Sequence, residues 1–193
     1  RVMGTLNLGS TQISSSGTTI VSSNNLNLTG DLNLTGDWVN APSGTIITTA
    51  TGELGTQFST SNDSGQDTGL HTSALVRKLA GGTGAGKSRI IVTLQGGCRD
   101  ADSSSGQDVT ELHRSINGGS DSFLDYMDSQ YRGNTFWNAH SGMHIDTGTS
   151  SAGASLVYKM YQRSRGGGTT IYFNKVVGGV TGSVYLIAQE VVN

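Results

Sequence analysis

The sequence predicts an all-β protein, with a thin repetitive β stalk over residues 1–40 and an antiparallel, jelly-roll-like β-sandwich head over residues 41–193. The first observation is composition: the chain has 29 Gly and 1 Pro, and Ser and Thr make up about a quarter of it. These residues suit turns and exposed strand faces. The second is that only 13% of residues are charged, so the usual fillers of exposed helices are scarce. The third is strand-like alternation of apolar and polar residues.

A six-residue repeat defines the predicted stalk. The sequence LNLTGD occurs at residues 26–31 and again at 32–37, with a weaker echo at residues 5–9. Each unit reads as a short strand (Leu in, Asn out, Leu in) that ends in a Thr-Gly-Asp turn. Two Leu per unit form a narrow apolar edge that one thin chain cannot bury. We therefore expect several copies of the chain, three for a fibre, to wind together with these edges on the axis. For residues 9–25 the alternative is a disordered Ser/Thr linker.

A turn at residues 41–44 marks the junction with the predicted head. Beyond it, strands are predicted at residues 45–49, 88–94, 109–116, 136–145, 155–163, 169–177 and 183–192. In the strand at 155–163, alternation places Leu156, Tyr158, Met160 and Gln162 on one face, which is the expected core face. The segment at residues 71–80 fits either a helix or a bent strand. Strands separated by Gly-rich turns are typical of a sandwich.

Charge, hydropathy and cysteine content narrow the function. The net charge is −2 and the pI about 6.0, without the clustered Lys and Arg that nucleic-acid binding requires. The sequence has no apolar stretch long enough for a membrane helix. The single cysteine, Cys98, cannot form an intrachain disulfide, which fits folding in a reducing cytoplasm, and we expect a buried core residue there. The chain opens on Arg1, which is expected of a piece of a longer protein.

The order of short motifs after the junction resembles the C-terminal head domain of tail-fibre and virion-appendage proteins of marine and cyanobacterial phages. The segments that carry the resemblance lie at residues 41–47, 67–70, 87–92, 96–98, 157–159, 169–174 and 182–191. The LNLTGD units are similar to the stalk repeats that often precede such heads. The resemblance implies a homotrimeric β head on a virion tail fibre, made in the host cytoplasm, bound to other tail proteins and often to a host receptor. Residues 120–134 depart from the family pattern as a long insert.

The pattern that points most directly to an enzyme is GGTGAGKS at residues 81–88, which matches the phosphate-binding loop of nucleotide-binding proteins. That loop needs a buried strand before it and a helix after it. Here no apolar strand precedes Gly81, and a β-branched run follows Ser88. We therefore interpret it as a glycine-rich loop that opens a strand, and we expect no nucleotide cofactor.

Metal binding is not predicted either. His140 and His144 would share a strand face, but their separation of about 13 Å is too large for one ion. A metal held on a trimer axis by one His from each chain stays open, although surface or interface histidines are favoured. Asp121, Asp125 and Asp128 lack the alternating spacing of a calcium loop, so solvated acids are favoured.

No catalytic pattern stands out, so we predict that the chain is not an enzyme. Glycan cleavage needs two converging carboxylates, and no local pattern marks such a pair. A serine nucleophile elbow of the GxSxG type is missing from the sequence.

What the sequence does offer is an aromatic-rich loop at residues 120–140. Aromatic side chains with polar neighbours are typical of binding surfaces. The predicted exposed receptor-binding set is Tyr126, Tyr131, Arg132 and Trp137. Phe123 and Phe136 are instead expected to fill the head core or a subunit interface.

The predicted function is adsorption of a tail-fibre tip to a host-surface glycan or outer-membrane protein. One alternative is a purely structural virion part, such as a capsid fibre or decoration, without a receptor. The other alternative, which is less favoured, is a glycan-degrading tailspike.

Overall fold

The computed structural model describes residues 5–8, 11–16, 19–22, 43–101, 107–131, 138–165, 169–176 and 182–193. At residues 5–22, 99–101, 128–131 and 138 this description covers the backbone only. The chain divides into two compact units, Arg1–Gly36 and Asp37–Asn193. All regular structure in the described ranges is β-strand. These ranges contain no helix of the length and apolarity that crossing a membrane would require.

The first unit contains a three-stranded antiparallel meander. Its strands are β1 (Thr5–Leu8), β2 (Thr11–Ser16) and β3 (Thr19–Ser22). The middle strand pairs with both neighbours, since Ile13 lies opposite Leu6 on one side and Ser22 on the other. The LNLTGD units at 26–37 lie outside the described residues, so their stacking in a stalk stays a prediction.

The second unit contains eleven described strands in two antiparallel sheets. They are β4 (Ile46–Leu54), β5 (Phe58–Thr60), β6 (Gln66–His71), β7 (Leu75–Val76), β8 (Ser88–Ala101), β9 (Gln107–Ile116), β10 (Ser122–Tyr131), β11 (Asn138–Asp146), β12 (Ser155–Arg165), β13 (Ile171–Phe173) and β14 (Val184–Val192). One sheet has the order β10-β9-β12-β6, with β7 also paired to β12. The other has the order β4-β14-β8-β13-β5, with β11 also paired to β8.

This strand order is that of a jelly roll. Among the described strands the chain crosses from one sheet to the other six times, after β5, β7, β8, β10, β11 and β12. The first long strand, β4, pairs with the last, β14. Neighbours in a sheet are therefore distant in sequence, as in the Greek-key connections from which jelly rolls are built. The predicted all-β sandwich is confirmed.

The core lies between the two sheets and follows from alternation along the strands. On β12 the inward residues Leu156, Tyr158, Met160 and Gln162 are all fully buried, which confirms the predicted core face. Gln162 is accommodated because its amide nitrogen donates to Oδ1 of buried Asp108 at 2.9 Å. Ile90, Val92 and Leu94 of β8 and Val184, Leu186 and Ala188 of β14 supply the facing layer.

Several predicted elements need correction. Residues 120–134 were expected to form an inserted loop, but residues 122–131 are strand β10, which pairs with β9 through eight register positions. Residues 71–80 contain no helix; they carry the end of β6 and the short strand β7. The strand predicted at 169–177 spans only Ile171–Phe173 among the described residues. Cys98, expected in the core, is half-buried on β8.

Candidate functional site

Two large aromatic side chains are exposed next to each other on the outer face of edge strand β10. Phe123 and Tyr126 are 48% and 50% exposed, and their ring centroids are 4.9 Å apart. Residues three apart on a regular strand face opposite sides. Here β10 has two register shifts against β9, one after Phe123 and one after Tyr126. The first β-bulge places two β10 residues opposite one residue of β9, so both rings emerge on the same face.

The aromatic surface continues across two more strands. His113 of β9 lies edge-on to Phe123 at 5.7 Å, and it stacks on Tyr161 of β12 at 4.1 Å with a 28° interplanar angle. Strand pairing explains this arrangement, because Phe123 lies directly opposite His113 and cross-strand pairs on one face are in contact distance. We call Tyr126, Phe123, His113 and Tyr161 the aromatic strip.

Arg163 lies at the Tyr126 end of the aromatic strip. The Arg163 guanidinium lies 5.6 Å from the Tyr126 ring centroid and donates to the Tyr126 hydroxyl at 2.9 Å. Its Nε is 2.8 Å from the Glu111 carboxylate, which also lies 3.1 Å from His113 Nε2. Glu111 therefore balances the arginine charge, while cation–π contact with Arg163 holds the exposed tyrosine in place.

Asp121 lies at the Tyr161 end of the aromatic strip. Asp121 accepts hydrogen bonds from the Tyr161 hydroxyl at 2.6 Å and from Lys159 Nζ at 3.0 Å. The hydrogen bond from Lys159, followed by that from Tyr161, holds the pKa of Asp121 below its usual value. The hydrogen bond to Asp121 raises the pKa of the Tyr161 hydroxyl. Asp121 is thus a carboxylate and Tyr161 a neutral phenol at neutral pH. The charge of Asp121 is balanced by Lys159, as that of Glu111 is balanced by Arg163.

The strip is suited to binding a polar ligand that has an apolar face. Aromatic faces offer flat, rigid contact area, and the hydroxyl, guanidinium and carboxylate groups at their margins offer directional hydrogen bonds. A sugar ring combines an apolar C–H face with a rim of hydroxyl groups, so a glycan matches both halves of this surface.

Of the four predicted receptor-binding residues, only Tyr126 has a described side chain, and it lies in the strip. Tyr131 ends β10, but nothing is described of its side chain, and Arg132, Trp137 and Phe136 lie outside the described residues. Phe123 does not fill the head core, because its side chain is half exposed on the outer sheet face. The other place expected for it, a subunit interface, stays a prediction.

Sequence reasoning missed His113, Tyr161 and Arg163. Alternation along β12 implies that Tyr161 and Arg163 lie on its outward face, as they do, but nothing local connects them to residues 123–126. The missing information was the pairing of β12 with β9 and of β9 with β10.

The two acidic residues next to the strip, Asp121 and Asp125, form hydrogen bonds with different strands. Asp125 accepts from His144 Nδ1 at 2.9 Å, which links β10 to β11, whereas Asp121 bonds to β12. The hydrogen bond from His144 lowers the pKa of Asp125. In the part of the chain with described side chains, no three His, Cys, Asp or Glu residues converge as metal ligands. The side chain of Asp128 is not described.

His140 and His144 share the inward face of β11. His140 is only 1% exposed, and its ring lies 4.2 Å from the Phe173 ring. A histidine enclosed within one sandwich cannot meet its copies on a trimer axis. The open possibility of an axial metal held by His140 is therefore contradicted, as is the interpretation of His140 as a surface residue.

The glycine-rich loop at 81–88 lacks the arrangement of a phosphate-binding loop. Backbone N–H groups of Gly81, Gly82, Lys87 and Ser88 donate to the carbonyls of Ser150, Ser88, Gly84 and Ala80, respectively. A phosphate-binding loop needs such groups free to face the phosphates. Strand β8 follows the loop, as predicted, where a nucleotide site requires a helix.

A buried ion pair, Arg77 with Glu190, instead holds the loop in place through hydrogen bonds. Arg77 and Glu190 are fully buried, 3.9 Å apart. Arg77 donates to Ser150 Oγ at 2.7 Å and to the Gly148 carbonyl at 3.0 Å. Glu190 accepts from Ser88 Oγ at 2.6 Å and from two backbone N–H groups. Because both charges are hydrogen-bonded, their burial is tolerated and the loop is tied to β14.

No protein-family model matches the chain. No curated protein matches it either. Among solved structures it is similar to the Eiger TNF of S. frugiperda, at 12% sequence identity over 74% of this chain and 92% of that chain, with a TM-score of 0.35. A likeness of this size carries no inference about function.

Proposed function

We propose that this chain is the distal part of a phage tail fibre, with a repetitive stalk and a trimeric β-sandwich head that adsorbs to a glycan on the host surface. The observation that carries the adsorption role is the aromatic strip, with two half-exposed rings beside a cation–π contact. The phage assignment, the virion location and the attachment to other tail proteins are supported by the resemblance of the short motifs to tail-fibre heads.

The chemistry of the strip favours a glycan over an outer-membrane protein. A protein–protein interface of standard size buries about 800 Å² of surface on each partner, over about 20–30 residues. The strip consists of four aromatic side chains and is bordered by Glu111, Asp121, Lys159 and Arg163, whose polar atoms suit hydroxyl groups. Because these charges are paired, we expect an uncharged sugar ring to stack on Tyr126 and Phe123.

The test is binding of the full chain to an array of bacterial surface glycans and to intact bacteria. Tyr126→Ala and Phe123→Ala should each weaken binding about 5- to 150-fold, since loss of an aromatic side chain on which a nucleic-acid base stacks costs about 1–3 kcal/mol. Tyr126→Phe, which keeps the ring but loses the hydroxyl bonded to Arg163, should weaken binding less. Val76→Ala is the control, because Val76 is equally exposed but lies near the opposite end of β12.

Four results would contradict parts of the proposal. Binding that Tyr126→Ala leaves unchanged would place the receptor site elsewhere. Binding to cells that disappears after protease treatment would indicate an outer-membrane protein. Absence of binding and of competition with infection would leave a structural virion part, and release of reducing sugar would indicate a tailspike.

A further inference from the structure

A groove of about 380 Å³ lies on the outer face of the sheet that does not carry the aromatic strip. It extends over three paired strands, β4, β14 and β8, and is lined by Thr51, Gly52, Glu53, Gln95, Tyr185 and Ile187. Small-ligand sites have volumes of about 300–1,000 Å³, so this groove is of a size for one small ligand such as a sugar ring.

Strand register brings the polar groups of the groove together. Glu53 of β4 and Gln95 of β8 lie directly opposite Tyr185 of β14, one on each side. Residues directly opposite on one sheet face have Cβ atoms about 5 Å apart. A carboxylate, a phenol ring and an amide are therefore neighbours. The next row adds a hydroxyl group from Thr51 and an apolar side chain from Ile187.

Glu53 differs from most acidic residues of the head in its charge balance. Six other carboxylates lie within 4 Å of a basic side chain: Asp67, Glu111, Asp121, Asp125, Asp146 and Glu190. Glu53 makes no ion pair with any residue that the structure describes. Its Oε1 accepts from Ser183 Oγ at 2.6 Å and from the Tyr185 hydroxyl at 3.3 Å. These neutral donors orient the carboxylate without neutralising its charge.

Two basic side chains near this sheet are directed elsewhere. Lys175 lies over the Tyr172 ring, 4.4 Å from its centroid. Arg89 donates to Asn193 at 3.3 Å, and it lies opposite Val191, six residues along β14 from Tyr185. That separation is about 20 Å at about 3.4 Å per residue. It exceeds the Debye length of about 8 Å at physiological salt, so Arg89 does not screen the groove.

An aromatic ring next to an uncompensated carboxylate suits an organic cation. An ammonium group donates charge-assisted hydrogen bonds to a carboxylate. The same charge is attracted to an aromatic face when it lies within about 6 Å of the ring centroid. Tyr185 is 40% exposed and its hydroxyl contacts Glu53, so one ammonium group can reach both side chains. Gln95 and Thr51, both exposed, can bond to hydroxyl groups of the same ligand.

We propose that this groove binds an amino sugar through its protonated amine, with the ammonium group at Glu53 and Tyr185 and the C–H face of the ring on Ile187. The choice of a sugar rests on the glycan adsorption of the proposed function, whereas recognition of the ammonium group rests on the groove alone. The head then has two sugar sites of different chemistry: the aromatic strip for an uncharged ring, and the groove for a ring with a free amine.

The test is saturation-transfer NMR of the full chain, with titrations of glucosamine, N-acetylglucosamine and glucose as probes. Glucosamine should bind about fivefold more tightly than the other two sugars, which lack the ammonium group, because an exposed ion pair and an exposed cation–π contact are each worth up to about that factor. Raising the salt concentration should reduce the difference, since ions screen exposed charges. Equal binding of the three sugars would overturn the proposal.

Variants assign the preference to the groove. Glu53→Gln keeps an oxygen that accepts from Ser183 and Tyr185 but removes the charge, so it should abolish the preference for glucosamine. The matched control is Asp63→Asn, because Asp63 is also exposed and should not contribute. Tyr185→Ala should weaken glucosamine binding more than Tyr185→Phe, which keeps the ring.

The remaining outcomes separate this inference from the proposed function. A preference for glucosamine that survives Glu53→Gln would overturn the assignment of the groove. Methylammonium that binds as tightly as glucosamine would overturn the assignment of a sugar. Tyr126→Ala should leave the preference intact, since Tyr126 lies on the other sheet. Loss of glycan binding at the strip alone would contradict the proposed function, and loss of the glucosamine preference alone would contradict this inference.

Discussion

Asp146 is an ionised carboxylate within the sandwich that joins three elements. It accepts from the Tyr158 hydroxyl at 2.7 Å, from the Gly148 N–H at 2.8 Å and from the guanidinium of Arg114. Burial alone would raise the pKa of Asp146, but the hydrogen bonds from Tyr158, Gly148 and Arg114 outweigh it and hold the pKa below the usual value. Burial, with Asp146 nearby, raises the pKa of Tyr158.

This arrangement predicts a pH-dependent contribution to stability. Because the pKa of Asp146 is lower in the folded than in the unfolded chain, its contribution is fully present above the unfolded value of about 3.9 and is lost as the pH falls through the folded value. Asp146→Asn should lower the free energy of unfolding at pH 7 by about 1–3 kcal/mol. The difference from wild type should shrink as the pH falls below about 4, since Asp146 is then protonated first in the unfolded and next in the folded chain.

Urea unfolding of both proteins across this pH range measures the effect. Asp63→Asn is the control, because Asp63 is exposed, and it should match wild type throughout. A difference between Asp146→Asn and wild type that stays constant with pH would contradict the assignment of Asp146 as the titrating group.

At the scale of elements, the position of edge strand β10 depends on its close approach to β11. A Cβ built on Gly142 of β11 would lie 2.5 Å from the backbone oxygen of Met127 and 3.2 Å from its Cβ. Met127 itself is buried in the core. Glycine at 142 therefore allows the two edge strands to meet where the sheets close, and this contact fixes β10 with its exposed rings.

Replacement of this glycine should loosen β10. Gly142→Ala introduces a methyl group that the Met127 backbone cannot avoid without shifting, and overpacking of this kind costs about 1–3 kcal/mol. Urea unfolding measures the loss, and hydrogen exchange should show faster exchange of β10 amides. Gly55→Ala is the matched control, since its Cβ would meet nothing within 4 Å. Equal free energies of unfolding for the two variants would show that the close contact between β10 and β11 does not require glycine at position 142.

At the scale of the whole molecule, the six-residue repeat at residues 26–37 is the part of the chain proposed to hold copies together. Its two Leu per unit form an apolar edge that one thin chain cannot bury.

The repeat makes a prediction of its own. In the full chain, Leu28→Asp with Leu34→Asp should raise the dissociation constant of the oligomer about tenfold or more, because each change places a charge on the predicted axis. Asn27→Asp with Asn33→Asp, on the predicted outer side of the same units, should have little effect. Light scattering over a concentration series measures both, and equal effects of the two pairs would contradict a Leu-lined axis.

Much of the head follows from the sequence. The sequence pattern identified six of the longer strands, β4, β8, β9, β11, β12 and β14, and the buried face of β12, because side chains on a strand alternate locally with period two. It also identified the loop at 81–88 as the start of a strand. It did not identify β10, because the two bulges in that strand interrupt the alternation on which the prediction depends.

The sequence by itself determined an all-β head with its strands, turns and inward-facing residues, since these depend on neighbours along the chain. Only the tertiary structure decided which strands lie side by side. The first long strand pairs with the last, β4 with β14, and β9 lies between β10 and β12. These pairings join residues far apart in sequence, and no local pattern encodes them. The aromatic strip draws Phe123, His113 and Tyr161 from three strands.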